Sequence, residues 1–434
     1  MQVYSTRNHT QKVSLKEAVI KGLAEDGGLY MPVHIPKLSA DFIQTLSQQS
    51  PIEIFTTVAQ NLIGEDIPTK ALNPIIEEVF NFEMPVIQVH DTVYGLELFH
   101  GPTLAFKDVG ARFMSRLLAY FYQNESQTLQ VVVATSGDTG SAVAAGFYDV
   151  PGINVFILYP KGKVSYLQEK QLTTWGKNIT AIEVEGTFDD CQHLVKQLLS
   201  DVKLNSQLKL TSANSINIAR LIPQSFYYFS SFAKLQSLGK PIVYAVPSGN
   251  FGNLTGGVLA QKMGLPITPF IAATNINKVV PQYLQTGIYQ PMPSMETISN
   301  AMDVGAPSNL ERLQHFFPHF PDFQKGICGY SYTDQQTSEI MREVYQKYGY
   351  ILDPHGAVAY LGLTDYQKEH PDTIGVFLET AHPAKFKDTV ESILGISLAL
   401  PESLQVFAHK EKKSICIDNH YQAVVDIIQS KNLN

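Results

Sequence analysis

From about Val86 to Leu378, short continuous apolar runs alternate with amphipathic stretches of helical period, and this alternation constrains the fold more than any other feature. The apolar runs are Val131–Ala134, Val155–Tyr159, Ile179–Val184, Leu208–Thr211, Ile242–Val246, Pro269–Ala273 and Ile374–Leu378. Between them Val109–Tyr122, Ser141–Phe147, Tyr166–Thr174, Asp189–Leu199, Ile218–Leu235 and Leu254–Met263 read as helices. Strands that are apolar on both faces need cover on both sides, so the pattern predicts an α/β fold with open, mainly parallel sheets. Residues 1–85 read as an N-terminal helical segment broken by Gly27-Gly28, Pro32 and Pro36. The strand signal pauses between about Asn277 and Tyr350, which reads as mostly helical. With 434 residues, 44% hydrophobic and 17% charged, the chain can bury a sizeable core and has the length of two or three domains. The expected division is the helical segment at 1–85, a smaller α/β domain at 86–240 and a larger one at 241–434.

A formal charge of −8 argues against a polyanion as the main partner, so no nucleic acid is expected. No apolar run reaches the ~18 residues of a membrane span, and no membrane association is expected. The opening Met1-Gln2-Val3-Tyr4-Ser5-Thr6-Arg7 lacks the apolar core of a secretory signal, which predicts a cytoplasmic protein. Cys191, Cys328 and Cys416 are far apart and odd in number, so they suggest neither a disulfide framework nor a zinc site, and no metal is expected.

Three segments carry chemistry. Pro247-Ser248-Gly249-Asn250-Phe251-Gly252-Asn253 follows the strand Ile242–Val246 and opens a helix-like run. Small residues there let successive backbone N–H groups converge on an anion, and the helix N-terminus adds partial positive charge. The loop matches neither nucleotide fingerprint, lacking both the lysine of a Walker loop and G-x-G-x-x-G. Read alone, it is either a phosphate nest or a strand-to-helix turn. Thr135-Ser136-Gly137-Asp138-Thr139-Gly140-Ser141 follows a second strand and suits a carboxylate or a second phosphate, with Asp138 or Ser141 as helix caps the plainer alternative. Lys107 closes Glu97-Leu98-Phe99-His100-Gly101-Pro102-Thr103-Leu104-Ala105-Phe106 and starts a helix with the stripe Val109, Phe113, Leu117 and Tyr120–Phe121. In apolar surroundings a lysine becomes usable as an amine nucleophile, whereas a solvated helix-end lysine is the commoner fate.

Together, one lysine, one anion nest and one polar loop at strand ends match the needs of pyridoxal 5′-phosphate. This cofactor takes an amine for its aldehyde, a cradle for its phosphate, a partner for its ring nitrogen and a site for the substrate carboxylate. Thr380, after the strand Ile374–Leu378, is available to the ring nitrogen, unless it is a turn residue.

In this order the segments resemble the threonine synthase family, shorter bacterial and fungal type, within the fold-type-II (tryptophan synthase β-like) pyridoxal-phosphate enzymes. The resemblance is carried by V-S-L-K-E-A-V-I-K-G-L-A-E-D-G-G-L-Y-M-P (Val13–Pro32), L-E-L-F-H-G-P-T-L-A-F-K-D (Leu96–Asp108), A-T-S-G-D-T-G (Ala134–Gly140) and S-A-N-S-I-N-I-A-R (Ser212–Arg220). P-S-G-N-F-G-N (Pro247–Asn253), S-N-A-M-D-V (Ser299–Val304) and T-A-H-P-A-K-F (Thr380–Phe386) also match. It spans roughly Met1 to Leu400. Residues after about 405 match nothing usable, and Glu379 stands where a small residue is expected.

The resemblance implies a carbon–oxygen lyase that converts the small molecule O-phospho-L-homoserine and water into L-threonine and phosphate, by γ-elimination and hydration at Cβ. It further implies that Lys107 is the Schiff-base lysine and shuttle base, that Gly249, Asn250, Phe251, Gly252 and Asn253 cradle the cofactor phosphate, and that Thr380 meets the ring nitrogen. Ser136, Gly137, Asp138 and Thr139 would line the substrate carboxylate, and Asn214, Ser215 and Arg220 would hold the substrate phosphate with Asn217 nearby. Arginine suits that task because its planar fork binds phosphate oxygens bidentately. The competing readings are a serine/threonine dehydratase, which has no substrate phosphate and no need of Arg220, and a non-catalytic relative that binds the cofactor. A monomer or homodimer is expected.

Overall fold

The computed structural model describes residues 1–267 and 269–432. The chain folds into two compact units, one made of Met1–Val33, Lys107–Arg220 and the residues from Leu400 onward, the other of His34–Phe106 and Leu221–Ala399.

The first unit is built on a five-stranded parallel sheet in the order Ser414–Asp418, Ile179–Glu185, Ile153–Pro160, Leu129–Ala134, Leu210–Ser212. Leu129–Ala134 is buried along its whole length, as its continuous apolar run predicts. The helix Lys107–Tyr122 buries Val109, Phe113, Leu117 and Phe121, one stripe at helical spacing. The C-terminal residues, for which the sequence offered no role, complete this unit. Ser414–Asp418 adds the edge strand, and the helix beginning at Tyr421 buries Val424, Val425 and Ile428 among Cys191, Leu194, Val195 and Leu198 of the helix Phe188–Ser200. Lys412 ties the segment down by ion pairs to Glu169 (2.7 Å) and Glu183 (2.8 Å). Residues 1–33 depart from the helical expectation: Asn8–Ser14, Gln2–Ser5 and Tyr30–Pro32 form a three-stranded antiparallel sheet. Asn8–Ser14 is polar and largely exposed, so it carries no apolar alternation from which to read a strand.

The second unit holds a six-stranded sheet in the order Ile327–Ser331, Phe270–Thr274, Ile242–Pro247, Ile374–Glu379, Val93–Glu97, Val86–His90. All neighbours are parallel except the last pair. The two central strands, Ile242–Pro247 and Ile374–Glu379, are fully buried and run side by side, so the loops after Pro247 and Glu379 leave the same end of the sheet. In open α/β sheets that end is where ligands bind. The outer strands Ile327–Ser331 and Val86–His90 are mostly half-exposed and of mixed polarity, which hid the first within the stretch read as helical.

The units do not follow the linear division at 85 and 240. The opening segment is shared between them, the later crossing falls at Arg220/Leu221, and the residues from Leu400 belong with the first unit. A pattern along the chain orders elements in sequence, whereas strand order in the sheets decides which of them pack together.

Because Ile428 is fully buried in the first unit's core, Ile428→Ala is expected to lower stability by about 2–5 kcal/mol. The exposed neighbour change Gln429→Ala is expected to stay within about 0.5 kcal/mol of wild type. Urea unfolding with matching midpoints for the two variants would show that the C-terminal helix is not part of that core.

Candidate active site

In the second unit, the loop after Ile242–Pro247 turns through Phe251 into the helix Gly252–Lys262. Phe251 is buried yet holds φ of +60°, a left-handed backbone that a bulky L-residue adopts at a cost of about 1–3 kcal/mol. Such an outlier persists where its surroundings over-determine it, and here they do. The Phe251 carbonyl accepts from both Thr255 N (3.0 Å) and Thr255 Oγ1 (2.6 Å). Asn250 is pinned from outside the loop: its Oδ1 accepts from Ser308 N (3.0 Å) and its carbonyl from Asn309 Nδ2 (3.0 Å). Asn309 Oδ1 in turn accepts from Nη1 of the fully buried Arg312 (2.8 Å). Gly249 leaves no room for a side chain, since a Cβ there would stand 2.8 Å from both Ala301 O and Met302 Cα.

Asn253 supplies the test of what the loop holds. It is buried, and its Oδ1 accepts from the hydroxyls of Tyr227 and Tyr228, which fixes the orientation of the amide. Burial pushes both phenols well above their ordinary range, so they remain donors. Asn253 Nδ2 is left with no partner among the described residues. A buried, oriented N–H without an acceptor costs about 1–3 kcal/mol, and an anion at the head of the helix removes that cost. A phosphate fits the donors this loop presents.

The second strand end leads to Thr380-Ala381-His382-Pro383-Ala384-Lys385, and these residues bind the segment that precedes Lys107. Phe106 N donates to Thr380 O (2.9 Å), His382 N donates to Leu104 O (3.0 Å), and Ala105 and Ala381 form an antiparallel bridge. Lys385, buried, donates from Nζ to Thr103 O (2.9 Å), and His382 caps the short helix Pro383–Phe386 by accepting Ala384 N at Nδ1 (3.0 Å). Leu104 is the second bulky apolar residue with left-handed backbone, at φ +58°. The two sequence motifs are therefore partners across one backbone bridge, and Thr380 itself is buried beside it.

In the first unit, half-buried Lys107 opens its helix. The loop 135–141 is organised by Thr135 Oγ1, which accepts from Gly137 N (2.9 Å) and Gly140 N (2.8 Å). Asp138 and Ser141 do not cap the helix Asp138–Phe147: Asp138 Oδ1 accepts from Gln168 Nε2 (2.8 Å), and Ser141 Oγ donates to Gly137 O (3.2 Å). Gly137 sits at φ +143°, where a Cβ would meet Gln168 at 2.7 Å, so glycine lets Gln168 close over the loop. Ser136 and Thr139 remain half-buried.

The segment 212–220 joins this loop through Asn214, whose amide donates to Ala134 O (2.8 Å) and accepts from Ala134 N (3.1 Å), continuing the edge of the sheet. Ser215 is half-buried beside it. Asn217 is fully buried with both amide hydrogens engaged, to Val19 O (3.0 Å) and Ser212 O (3.1 Å), so it shapes the turn and does not present its amide outward. Arg220 is buried, with Nη1 on Ala213 O (2.6 Å). Burial draws its guanidinium down to about 10, with the charge of Asp108 acting in the opposite direction, so it stays cationic at neutral pH. Gly110 is needed for its passage, because a Cβ there would lie 2.8 Å from Arg220 Nε.

Sequence reading brought out Lys107, the two loops and Arg220, and missed Asp108, Gly110, Asn309 and Arg312. Asp108 and Gly110 carried a readable signal, an acid and a glycine within three positions of the lysine on a helix's buried face. Asn309 and Arg312 lie far from the loop in sequence and carried none.

Residues 87–378 match the family model described as pyridoxal-phosphate dependent enzyme, residues 2–80 the threonine synthase N terminus and residues 356–428 the threonine synthase C-terminal region. The chain is 45% identical over 409 residues to the threonine synthase of Serratia marcescens, with 94% of each chain covered. It is 44% identical over 405 residues to that of Escherichia coli K12, covering 93% of this chain and 94% of that one. The crystal structure of threonine synthase from Escherichia coli matches with a TM-score of 0.94 at 41% identity, over 99% of this chain and 100% of the other. The PLP-bound threonine synthase from Brucella melitensis matches with a TM-score of 0.91 at 33% identity, over 100% of both.

Since a side chain at Gly249 would collide with the backbone of residues 301–302, Gly249→Val is expected to weaken pyridoxal phosphate binding by about tenfold or more with the far-UV circular dichroism unchanged. Wild-type cofactor occupancy in the folded variant would reduce the loop to a turn.

Proposed function

The chain belongs to the threonine synthase family of pyridoxal-phosphate enzymes, and on that premise we propose that it converts O-phospho-L-homoserine and water into L-threonine and phosphate. The observation that carries this reading is a pair of separate anion-binding arrangements: a loop with an unpartnered buried amide in one unit, and a buried arginine in the other. A cofactor phosphate and a substrate phosphate require both, whereas a serine/threonine dehydratase has no use for the second.

In this proposal Gly249, Asn250, Phe251, Gly252 and Asn253 hold the cofactor phosphate, Thr380 meets the ring nitrogen, and Lys107 holds the aldehyde at rest. Pyridoxal phosphate, when bound, supplies the electron sink for negative charge developing at the substrate Cα. Lys107 Nζ, once released, accepts the Cα proton and then moves a proton at Cβ, so that phosphate leaves from Cγ and water adds at Cβ. Ser136, Gly137, Asp138 and Thr139 orient the substrate carboxylate, the backbone N–H groups at the head of the helix Asp138–Phe147 offsetting its charge. Asn214, Ser215 and Arg220 hold the substrate phosphate, and Asn217 keeps their turn in shape. A hydroxyl at the ring nitrogen, unlike a carboxylate, need not hold that nitrogen protonated.

We place the enzyme in the cytoplasm, as a monomer or homodimer acting on a small molecule without nucleic acid. The net charge of −8 weighs against a polyanion partner, and among the described residues no helix is long and apolar enough to cross a membrane.

Arg220→Ala is expected to lower kcat/KM for phosphohomoserine on the order of 30- to 5,000-fold, the loss of a desolvated charge pair of about 2–5 kcal/mol. The visible absorbance of the lysine-bound cofactor should stay unchanged, and Arg220→Lys should restore activity in part, since a point charge replaces a fork. Steady-state kinetics with phosphohomoserine, serine and threonine decide the matter. An Arg220→Ala enzyme equal to wild type, or a wild type that prefers serine, contradicts the substrate assignment.

A further inference from the structure

Glu379, the last residue of the strand that delivers Thr380, is fully buried, and neither of its carboxyl oxygens meets a donor among the described residues. Its carboxyl lies over Gly356, where a Cβ would stand 2.3 Å from Oε1, in the first turn of the helix Pro354–Glu369. That helix is capped by Asp353, also fully buried, which accepts from His355 N (2.8 Å) and Gly356 N (3.2 Å). The Asp353 carboxyl reaches the same glycine through Oδ2, so the two buried carboxyls converge on Gly356. Two carboxyls are both acceptors when ionised, so they bond to one another only through a shared proton.

The network continues beyond Asp353. His355 Nδ1 lies 2.6 Å from Asp353 Oδ1, and its Nε2 accepts from Ala301 N (3.2 Å), which places the imidazole proton on Nδ1. Ala301 is the residue whose carbonyl backs Gly249. The chain Glu379–Asp353–His355–Ala301 therefore runs from the residue before Thr380 to the wall of the phosphate loop.

We propose that Glu379 is a buried carboxylic acid that shares one proton with Asp353 and acts as a positioning residue for the cofactor, holding Thr380 at one end and the backing of Gly249 at the other. This rests on the assignment of Thr380 and Gly249 to the cofactor. One negative charge at the N-terminus of a 16-residue helix is well placed; a second, buried and beside the first, is not. Burial, and after it the charge of Asp353, pushes the Glu379 carboxyl well above its ordinary range. Asp353 goes the other way: burial opposes its ionisation, but His355 and the hydrogen bonds it accepts hold its carboxyl below the usual range. The other titratable groups around the pair are Glu97 and Tyr350, which bond to each other (2.9 Å), His100 on Glu97 (2.7 Å), His382, and Asp303 near His355.

The sign of the pH effect follows. Folded Glu379 keeps its proton where the unfolded chain has lost it, so stability from this site is full below about pH 4 and declines as pH rises toward the folded pKa. The same loss loosens both ends of the cofactor site.

Two measurements test the proposal. Infrared spectroscopy of the wild-type protein at neutral pH should show a protonated carboxylic acid C=O band that shifts on 13C-carboxyl labelling of glutamate, an assignment that needs no variant. Cofactor dissociation constants across the alkaline range should weaken more steeply in wild type than in Glu379→Gln, which keeps an N–H for Asp353 but cannot ionise. Their ratio should grow by up to about tenfold per pH unit once Glu379 loses its proton, while the contribution of Lys107 cancels. Absence of the glutamate band, or parallel pH profiles, overturns the proposal. A protein that keeps the band yet binds no cofactor refutes the cofactor assignment, and with it the positioning role, while leaving the shared proton standing.

Discussion

The arrangement in the second unit depends on a short backbone bridge between Leu104–Phe106 and Thr380–His382. It fixes the residues immediately before Lys107 against the strand end that carries Thr380, using main-chain groups that only a change to proline would remove. Lys385 reinforces it from its buried position on Thr103 O, and Leu104 accepts a left-handed backbone to make the turn. Net hydrogen bonds of this kind contribute only about 0.5–1.5 kcal/mol each. Their value here is geometric, because they fix the course of the chain up to Phe106.

The phosphate loop is held by a different means. Asn250 is gripped by Ser308 and Asn309, Asn309 by Arg312, and Asn253 by two tyrosine hydroxyls. Asn253, Asn309, Arg312 and both tyrosines are buried and Asn250 and Ser308 half-buried, so the hydrogen bonds that hold the loop are costly to break. The Asn253 amide, buried with no acceptor among the described residues, is the group in this loop that a bound anion would satisfy. On the proposed assignment a cofactor phosphate would meet donors already oriented, with little ordering left for the moment of binding.

Much of this was legible in the sequence because parallel strands buried on both faces write themselves as uninterrupted apolar runs. All seven runs identified as strands overlap strands of the sheets. The elements that escaped, such as Asn8–Ser14 and Ile327–Ser331, are edge strands whose exposure removes the signal. The candidate site was legible where its segments are local: Lys107 opens a helix and Gly249–Asn253 follows a strand end, as the sequence pattern places them. It was illegible where it depends on long-range contacts. The grip of Ser308 and Asn309 on Asn250, 58 and 59 residues away, offers no pattern to read, and neither does the approach of Glu379 to Gly356. Glu379 stood out as an unexpected residue, and only its surroundings give it a physical account.

In the proposed assignment Lys107, and no other lysine, carries the cofactor. The strongest rival by position is Lys385, which is more deeply buried and belongs to the motif that anchors the lysine segment. Reduction of the holoenzyme with borohydride fixes the cofactor to the amine that holds it, and peptide mass mapping then locates it. The pyridoxyl mass is expected on the peptide containing Lys107. Its appearance on Lys385, or on no lysine at all, would contradict that assignment.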